Sequence, residues 1–291
     1  MCEIKDVQAI YSFMKVKGIG VSRTNKELLS YSQQLGFMRD LEGWLVSVLS
    51  AEQKEEYYAN YETVEDLLIK SLRVSFRTIL DDSYPMALKD LLKMNTPPVL
   101  SMAGNIDLLN NKKIGFSGSR KVSEKGIGVT RDCVEQLSND RTVSIVSGYA
   151  QGVDREAHYC ALKSGGSTIV VLPNGISSFY VRQDLKDVWD WNRVLVISEY
   201  LPNDKWSVGR AMNRNNTIIG LSDSMVVIEA GLTGGSLDAG LRTLADNKPL
   251  YVPIYSDYPE SAQGNCLLLQ KGANGIGRNR QTNRANVMTL L

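Results

Sequence analysis

The residues best suited to chemistry in this 291-residue chain are arginines, serines and glycines gathered in short loops. Gly118-Ser119-Arg120 follows the apolar run Ile114-Gly-Phe-Ser117 and precedes a helical stretch. Small residues let main-chain N–H groups approach a phosphate, and a helix N-terminus adds partial positive charge. Arg120 adds a planar donor that is always charged. Four more loops resemble it: Ser147-Gly148-Tyr-Ala-Gln-Gly152-Val-Asp154, Asn174-Gly175, Arg210-Ala-Met-Asn213-Arg214-Asn215-Asn216, and Leu232-Thr-Gly234-Gly235-Ser236. One glycine-rich turn says little. Several at one edge of one sheet imply an anion-binding crevice, with Arg120 and Arg214 as the expected phosphate contacts. Arg182 follows Phe179-Tyr180, so it either stacks a base beside an aromatic ring or belongs to ordinary packing.

Other chemistries find less material. The single histidine, His158, is expected to be packed or hydrogen-bonded within a helix rather than to act as a general base. Asp154 is expected to cap the helix it opens. Glu199 and Glu229 follow apolar strands, where each either meets a ribose or base or pairs with a loop arginine. Neither a Walker A sequence nor the G-x-G-x-x-G dinucleotide fingerprint occurs, and no cofactor is indicated. Cys2, Cys133, Cys160 and Cys266 are scattered without histidine partners, so they read as buried small residues, not as zinc ligands or disulfides.

The loops need a sheet to hold them. Val143-Ser-Ile-Val146, Thr168-Ile-Val-Val-Leu172, Val194-Leu-Val-Ile197, Met225-Val-Val-Ile228 and Leu250-Tyr-Val252 are near-continuous apolar strands alternating with helical stretches. That pattern predicts an α/β domain, extended and Rossmann-like, with a mainly parallel sheet covered by helices on both faces. Ligands of such sheets sit beyond the strands' C-terminal ends. The helix over 154–163 should stop at Gly165 in the left-handed conformation. A small helical domain of SAM or helix-hairpin-helix type is expected over 1–75, since Ile10, Phe13 and Met14, then Leu41, Trp44, Leu45 and Leu49, fall at helical spacing. Its Lys17-Gly18-Ile19-Gly20-Val21-Ser22 turn either holds a DNA phosphate or simply joins two helices. Proline-rich 76–110 reads as an extended connection, 111–275 as the Rossmann-like domain, and 276–291 as a basic tail.

A net charge of +1 means that any nucleic-acid affinity has to be local. Lys70 serves as a cation outside the expected crevice. No apolar run is long enough to span a bilayer, and the N-terminus lacks a signal-peptide pattern, so a cytoplasmic protein is expected.

Taken in order, Gly118-Ser119-Arg120, Ser147-Gly-x-Ala-x-Gly-x-Asp154, Ala157-His158-x-x-Ala161-Leu162, Gly166-x-Thr168, Ser198-Glu199, Arg214-Asn215 with Ile218-Ile219-x-Leu221-Ser222, Glu229-Ala230, Gly235-Ser236-Leu237 and Gly272-Ala273 resemble the DNA-processing protein A (DprA/Smf) family. Tyr84-Pro85-x-x-Leu88 and Pro97-Pro98-Val99-Leu100 match that family's lead-in. The resemblance implies single-stranded DNA binding and delivery of the strand to the RecA recombinase in natural transformation and recombination. It also implies a homodimer formed through the Rossmann domain. The chain departs from the pattern at Ala211-Met-Asn-Arg214-Asn215-Asn216, where a second arginine is replaced by Asn216, at Pro253-Ile254, and at Ala239-Gly240.

Two other classes use the same crevice. A sensor would hold a small nucleotide without chemistry. A nucleoside monophosphate hydrolase of the LOG type would cleave base from ribose 5-phosphate, but Thr233-Gly-Gly-Ser-Leu-Asp-Ala-Gly240 lacks that family's threonine and glutamate.

Overall fold

The computed structural model describes residues 3–34, 40–69 and 74–290, so Cys2 and Lys70 lie outside the described residues. The chain forms two compact units. The first holds residues 1–103, 173–179 and 197–207, and the second holds 104–172, 180–196 and 208–291.

The first unit opens with α1 (Ile4–Lys15), α2 (Val21–Gln33), α3 (Leu41–Ser47) and α4 (Ala51–Ile69). Val7, Ile10, Phe13, Leu28, Leu45 and Tyr57 join in one buried core, which accounts for the helical periodicity. Asp40 caps α3 by accepting the Gly43 N–H at 3.0 Å. Between α1 and α2 the expected glycine turn forms, with Gly18 in the left-handed region at φ +80°. The Lys17 N–H in that turn is taken by the Glu56 carboxylate at 3.0 Å, which places a negative group where an anion would sit.

The segment expected to be an extended connection is ordered. β1 (Ser75–Thr78) and β2 (Val99–Gly104) pair antiparallel, with α5 (Met86–Leu92) between them. Its prolines lie outside both strands, so composition marked their ends and hid their pairing. Buried Phe76, Ile79 and Val99 add this layer to the helical core.

The second unit contains β3 (Lys112–Ser117), α6 (Glu124–Leu137), β4 (Val143–Ser147), α7 (Val153–Lys163), β5 (Ser167–Leu172), β6 (Val194–Ser198, its first three residues in this unit), α8 (Val208–Leu221), β7 (Ser224–Val227), α9 (Gly235–Ala245), β8 (Leu250–Pro253), α10 (Gln263–Gln270) and β9 (Asn274–Ile276). The strand order is β6-β5-β4-β3-β7-β8-β9. The pairs β5–β4, β4–β3, β3–β7, β7–β8 and β8–β9 are all parallel. This is an α/β, Rossmann-like fold. Side chains alternate across β3: Ile114 and Phe116 join the core with Cys133, Val134 and Leu137 of α6 and Val153 and Ala157 of α7. Gly115 faces the other way, where an added Cβ would lie 2.6 Å from the Ser222 hydroxyl at the end of α8, so helices cover both faces. Lys248 Nζ donates to the carbonyls of Ile219 (2.6 Å), Gly220 (3.2 Å) and Ser222 (2.6 Å) and so closes the C-terminus of α8. Gly165 ends α7 at φ +75°, as its position suggested.

The residues after β9, expected as a basic tail, pack against the second unit. Ala285, Val287 and Leu290 are buried in the α6–α7 core, and the Tyr251 hydroxyl donates to the Thr289 carbonyl at 2.8 Å. Arg284 is neutralised by Asp132 and Glu135 of α6. Leu290→Ala should therefore cost about 2–5 kcal/mol of unfolding free energy. Exposed Arg280→Ala should change it by less than about 0.5 kcal/mol, as urea unfolding would show.

Candidate nucleic-acid interface

In the second unit the register Ser117↔Val227, Gly115↔Val146 and Ser147↔Val170 brings the ends of β3, β4, β5 and β7 to one edge of the sheet. The loops after β3 and β4 are clamped together there. An added Cβ on Gly118 would lie 2.5 Å from Val153, the first residue of α7, and one on Gly152 would lie 2.3 Å from the Ser119 carbonyl and 2.9 Å from the Arg120 Cα. Gly152 also needs its φ of +85°. Gly152 thus lets the two loops touch backbone to backbone, and Gly118 makes room for the Val153 side chain.

Ser119 is largely committed to this frame. Its N–H donates to the Glu229 carbonyl at 2.8 Å, and its hydroxyl accepts the Lys121 N–H at 3.0 Å. The loop does not run straight into a helix, as the sequence suggested. Three residues, Lys121 to Ser123, intervene between Arg120 and α6, which is capped by Ser123 through the Gly126 N–H at 3.1 Å. What the loop presents to solvent is the exposed pair Arg120-Lys121.

Arg214 has a different place from the one expected. The stretch around it is the first turns of α8, not a loop, and its side chain is 5% exposed. Its Nη1 donates to the Gly148 carbonyl and, at 2.7 Å, to the Val171 carbonyl at the end of β5. A Cβ on Gly148 would overlap the guanidinium, so the glycine makes room for a buried cation. Asp154 lies near both Arg214 and Arg120. Burial pushes its carboxyl pKa up, while Arg214, the Ala150 N–H, Ser147 and Arg120 oppose that shift. Asp154 is not the cap of α7, which starts from Gly152; instead it accepts the Ala150 N–H at 3.3 Å and closes the turn. Ser147 is buried, with its hydroxyl donating to the Phe116 carbonyl at 2.7 Å.

Asn215, next to Arg214, reaches the other way and donates to the Gly235 carbonyl at 3.4 Å. One helix thus braces the turn after β4 and the start of α9. Gly234 precedes α9 at φ +103° with open space where a Cβ would be, and Gly235 and Ser236 form the helix's half-buried first residues. Asn174 and Gly175 fall in the first unit. There Gly175 packs on the carbonyls of Leu201 and Pro202, and Asn174 accepts from the Ser198 hydroxyl at 2.8 Å through its own carbonyl. Glu199 lies in that unit too, near enough to help raise the pKa of Tyr84.

Glu229 meets neither a loop arginine nor an open crevice. It is fully buried, and its carboxylate accepts from the Ser123 N–H (2.9 Å), the Ser123 hydroxyl and the Ser261 hydroxyl (2.6 Å). Serine donors were not among the partners its position suggested. Gly126 lies against it, leaving no space for a Cβ. Cys133 and Cys160 are buried with thiol pKa values pushed up to about 12, and among the described residues no group of His, Cys, Asp and Glu could hold a metal.

The Arg182 guanidinium lies over the Tyr149 ring, 5.1 Å from its centroid. The Tyr149 hydroxyl accepts the Arg182 N–H at 3.1 Å and donates to the Tyr180 carbonyl at 3.4 Å. Tyr149 itself sits at φ +64°, a conformation that side chains rarely adopt. The sequence signal was a bulky aromatic between Gly148 and Ala150.

His158 is fully buried behind this cluster. Thr168 donates its hydroxyl to the Ile145 carbonyl at 2.8 Å, so His158 Nδ1–H is the donor to Thr168 Oγ1 at 2.7 Å. Burial first, then Arg214 and Arg182, lower its pKa to about 3, and Nε2 has no partner. The unfolded chain therefore binds a proton here between pH ~6.5 and ~3 that the folded chain refuses, so this stability is present above pH ~6.5 and lost on acidification. Unfolding free energy should fall by on the order of 2 kcal/mol from pH 7.5 to pH 5 through this group. His158→Gln should flatten that part of the profile in denaturant titrations at each pH.

The family described as DNA recombination-mediator protein A matches residues 75–285. The chain is 30% identical over 270 residues to the DNA processing protein DprA of Streptococcus pneumoniae, covering 90% of this chain and 93% of that one. The solved DprA structure from Streptococcus pneumoniae superposes with a TM-score of 0.76 at 27% identity, over 92% of this chain and 94% of that one. DNA processing protein A from Helicobacter pylori, whose structure was described for its single-stranded DNA binding mode, superposes with a TM-score of 0.59 at 26% identity, over 70% of this chain and 90% of that one. Built on that sheet and those loops, the chain belongs to the DNA-processing protein A (DprA/Smf) family.

Proposed function

We propose that this protein binds single-stranded DNA at the edge of the second unit's sheet and does no chemistry on it. The reading places the strand's phosphates on Arg120, Lys121 and the start of α9. It gives Arg214 the task of holding the turn after β4, not of touching the strand. The observation that carries it is the exposed Arg120-Lys121 pair on a loop immobilised by Gly118 and Gly152. Membership of the family adds to it, as does the Helicobacter pylori relative's single-stranded DNA binding mode. In the cell the bound strand passes to the RecA recombinase during transformation, in the cytoplasm, with the protein acting as a homodimer through its Rossmann unit. No helix among the described residues is long and apolar enough to cross a membrane.

The absence of turnover follows from how the acids are used. Glu229, the carboxylate that a base-releasing hydrolase would need at this edge, is enclosed by Ser123 and Ser261. His158 is held neutral and buried, away from any role that cycles a proton near neutral pH.

Titration with single strands, duplex and mononucleotides at several salt concentrations tests the reading. Each phosphate neutralised on a single strand contributes about −0.7 to the slope of log affinity against log salt. Arg120→Ala should weaken single-strand binding similarly across sequences and make the slope about 0.7 shallower. Arg280→Ala should change neither quantity, and duplex should bind less well than single strands. Binding unaffected by Arg120→Ala removes the site. A parent that prefers duplex removes the function, and one that prefers a mononucleotide makes the crevice a sensor.

A further inference from the structure

One face of α6, made by Lys125, Gly128, Val129 and Asp132, lines a cleft of about 380 Å³ in the second unit. The opposite walls come from the ends of β8 and β9 and from the segment after β9. Pro253 and Ile276 are paired in register, so the two parallel strands end together there. Ligands of parallel sheets collect beyond such ends, and the volume lies in the range of small-molecule sites.

Two glycines on facing walls are not called for by the protein's own packing. Gly128 stands past the first turn of α6, where glycine costs helix stability relative to alanine, and Gly277 follows β9. Neither lies in the left-handed region, and a Cβ on either would meet nothing within 4 Å. Gly126 is different, because the Glu229 carboxylate lies against it. A side chain at position 128 would improve the helix without a clash. What it would take away is room in the cleft.

The remaining lining says what that room would hold. Val129, Ile254 and Ile276 give apolar walls suited to a flat ring, and two cations stand at the rim. Arg278 donates from Nη1 to the Asn283 side-chain carbonyl at 3.1 Å and makes no ion pair among the described residues. Lys125 meets Asp257 at 3.9 Å, a long pair between exposed side chains that contributes little. The Asp132 carboxylate is already taken by Arg284 and by the Ala285 N–H. A guanidinium beside an ammonium recognises a phosphate. A flat ring joined to a phosphate, at this size, describes a nucleotide.

We propose that this cleft is a second ligand site, which holds one nucleoside monophosphate. Its ring lies between the apolar walls over Gly128 and Gly277, and its phosphate lies on Arg278 and Lys125. The nucleotide is either free or the phosphorylated end of a DNA strand. The site is separate from the rim at Arg120 and does not rest on the single-strand reading.

The test titrates the full chain with AMP, GMP, CMP and UMP, with the matching nucleosides, and with inorganic phosphate. Oligothymidylate with and without a 5′-phosphate completes the set. A free nucleotide as occupant gives one site per chain for at least one monophosphate, bound at least about tenfold more tightly than its nucleoside or phosphate. A strand end as occupant gives a preference of about that size for the phosphorylated oligonucleotide. In either case Arg278→Ala should weaken the binding about tenfold, Gly128→Leu should abolish it, and Arg120→Ala should leave it unchanged. Because leucine is the better helix former, Gly128→Leu should unfold in urea at or above the parent's midpoint, which separates a filled cleft from a damaged fold. The proposal is overturned if neither a monophosphate nor a phosphorylated end is preferred. It is overturned as well if either cleft variant binds as the parent does, or if Arg120→Ala removes the binding.

Discussion

The arrangement of the loops depends on a cation buried at the end of the sheet. Removing a guanidinium from water is expensive, and it is tolerated only where acceptors and a counter-charge are in place. Arg214 obtains them from the carbonyls of Gly148 and Val171 and from nearby Asp154. Each of those partners is thereby fixed. The carbonyls lie at the ends of adjacent strands, Asp154 lies in the first turn of α7, and Arg214 itself belongs to α8. A single side chain ties two strands and two helices at one point, and Gly148 is the residue whose missing Cβ lets it enter.

A carboxylate does the complementary work on the other side of β3. Glu229 draws in the start of α6 through Ser123 and the segment before α10 through Ser261, while its carbonyl takes the Ser119 N–H. The loop carrying Arg120 therefore stands between two buried polar clusters. Because Arg214 and Glu229 are enclosed in those clusters, the cations exposed to a ligand are the ones on the rim. A rim set on a stiff support loses little conformational entropy on binding, which suits modest charge to useful affinity.

Much of this was legible in the sequence, and the limits have physical causes. Apolar strands from Ile114 to Val252 announced a parallel sheet because a strand buried on both faces has to be apolar at every position. Gly165 announced the end of α7 because few other residues accept its conformation. The loops' glycines were recognised, but their purpose was partly misjudged: Gly152 admits a neighbouring loop, Gly118 admits Val153, and Gly148 admits Arg214, so closeness to protein and closeness to phosphate leave the same mark in a sequence. Arg214 could not be placed inside by type, since arginine is seldom buried and the burial depends on acceptors distant in the chain. The β1–β2 pair was missed because antiparallel pairing across a twenty-residue interval leaves no local period.

The ion pairs explain how a nearly neutral chain can keep a charged site. In the second unit Arg131, Arg155, Arg193, Arg242 and Arg284 all face carboxylates, so these five arginines add little to the field felt by a distant strand. Arg120 and Lys121 stand apart, exposed and outside any ion pair among the described residues. The family's second arginine is Asn216 here, half-buried on α8, which removes one further cation from the same edge. With so few charges to spend on phosphates, long-range attraction is weak and short-range contacts have to carry more of the binding.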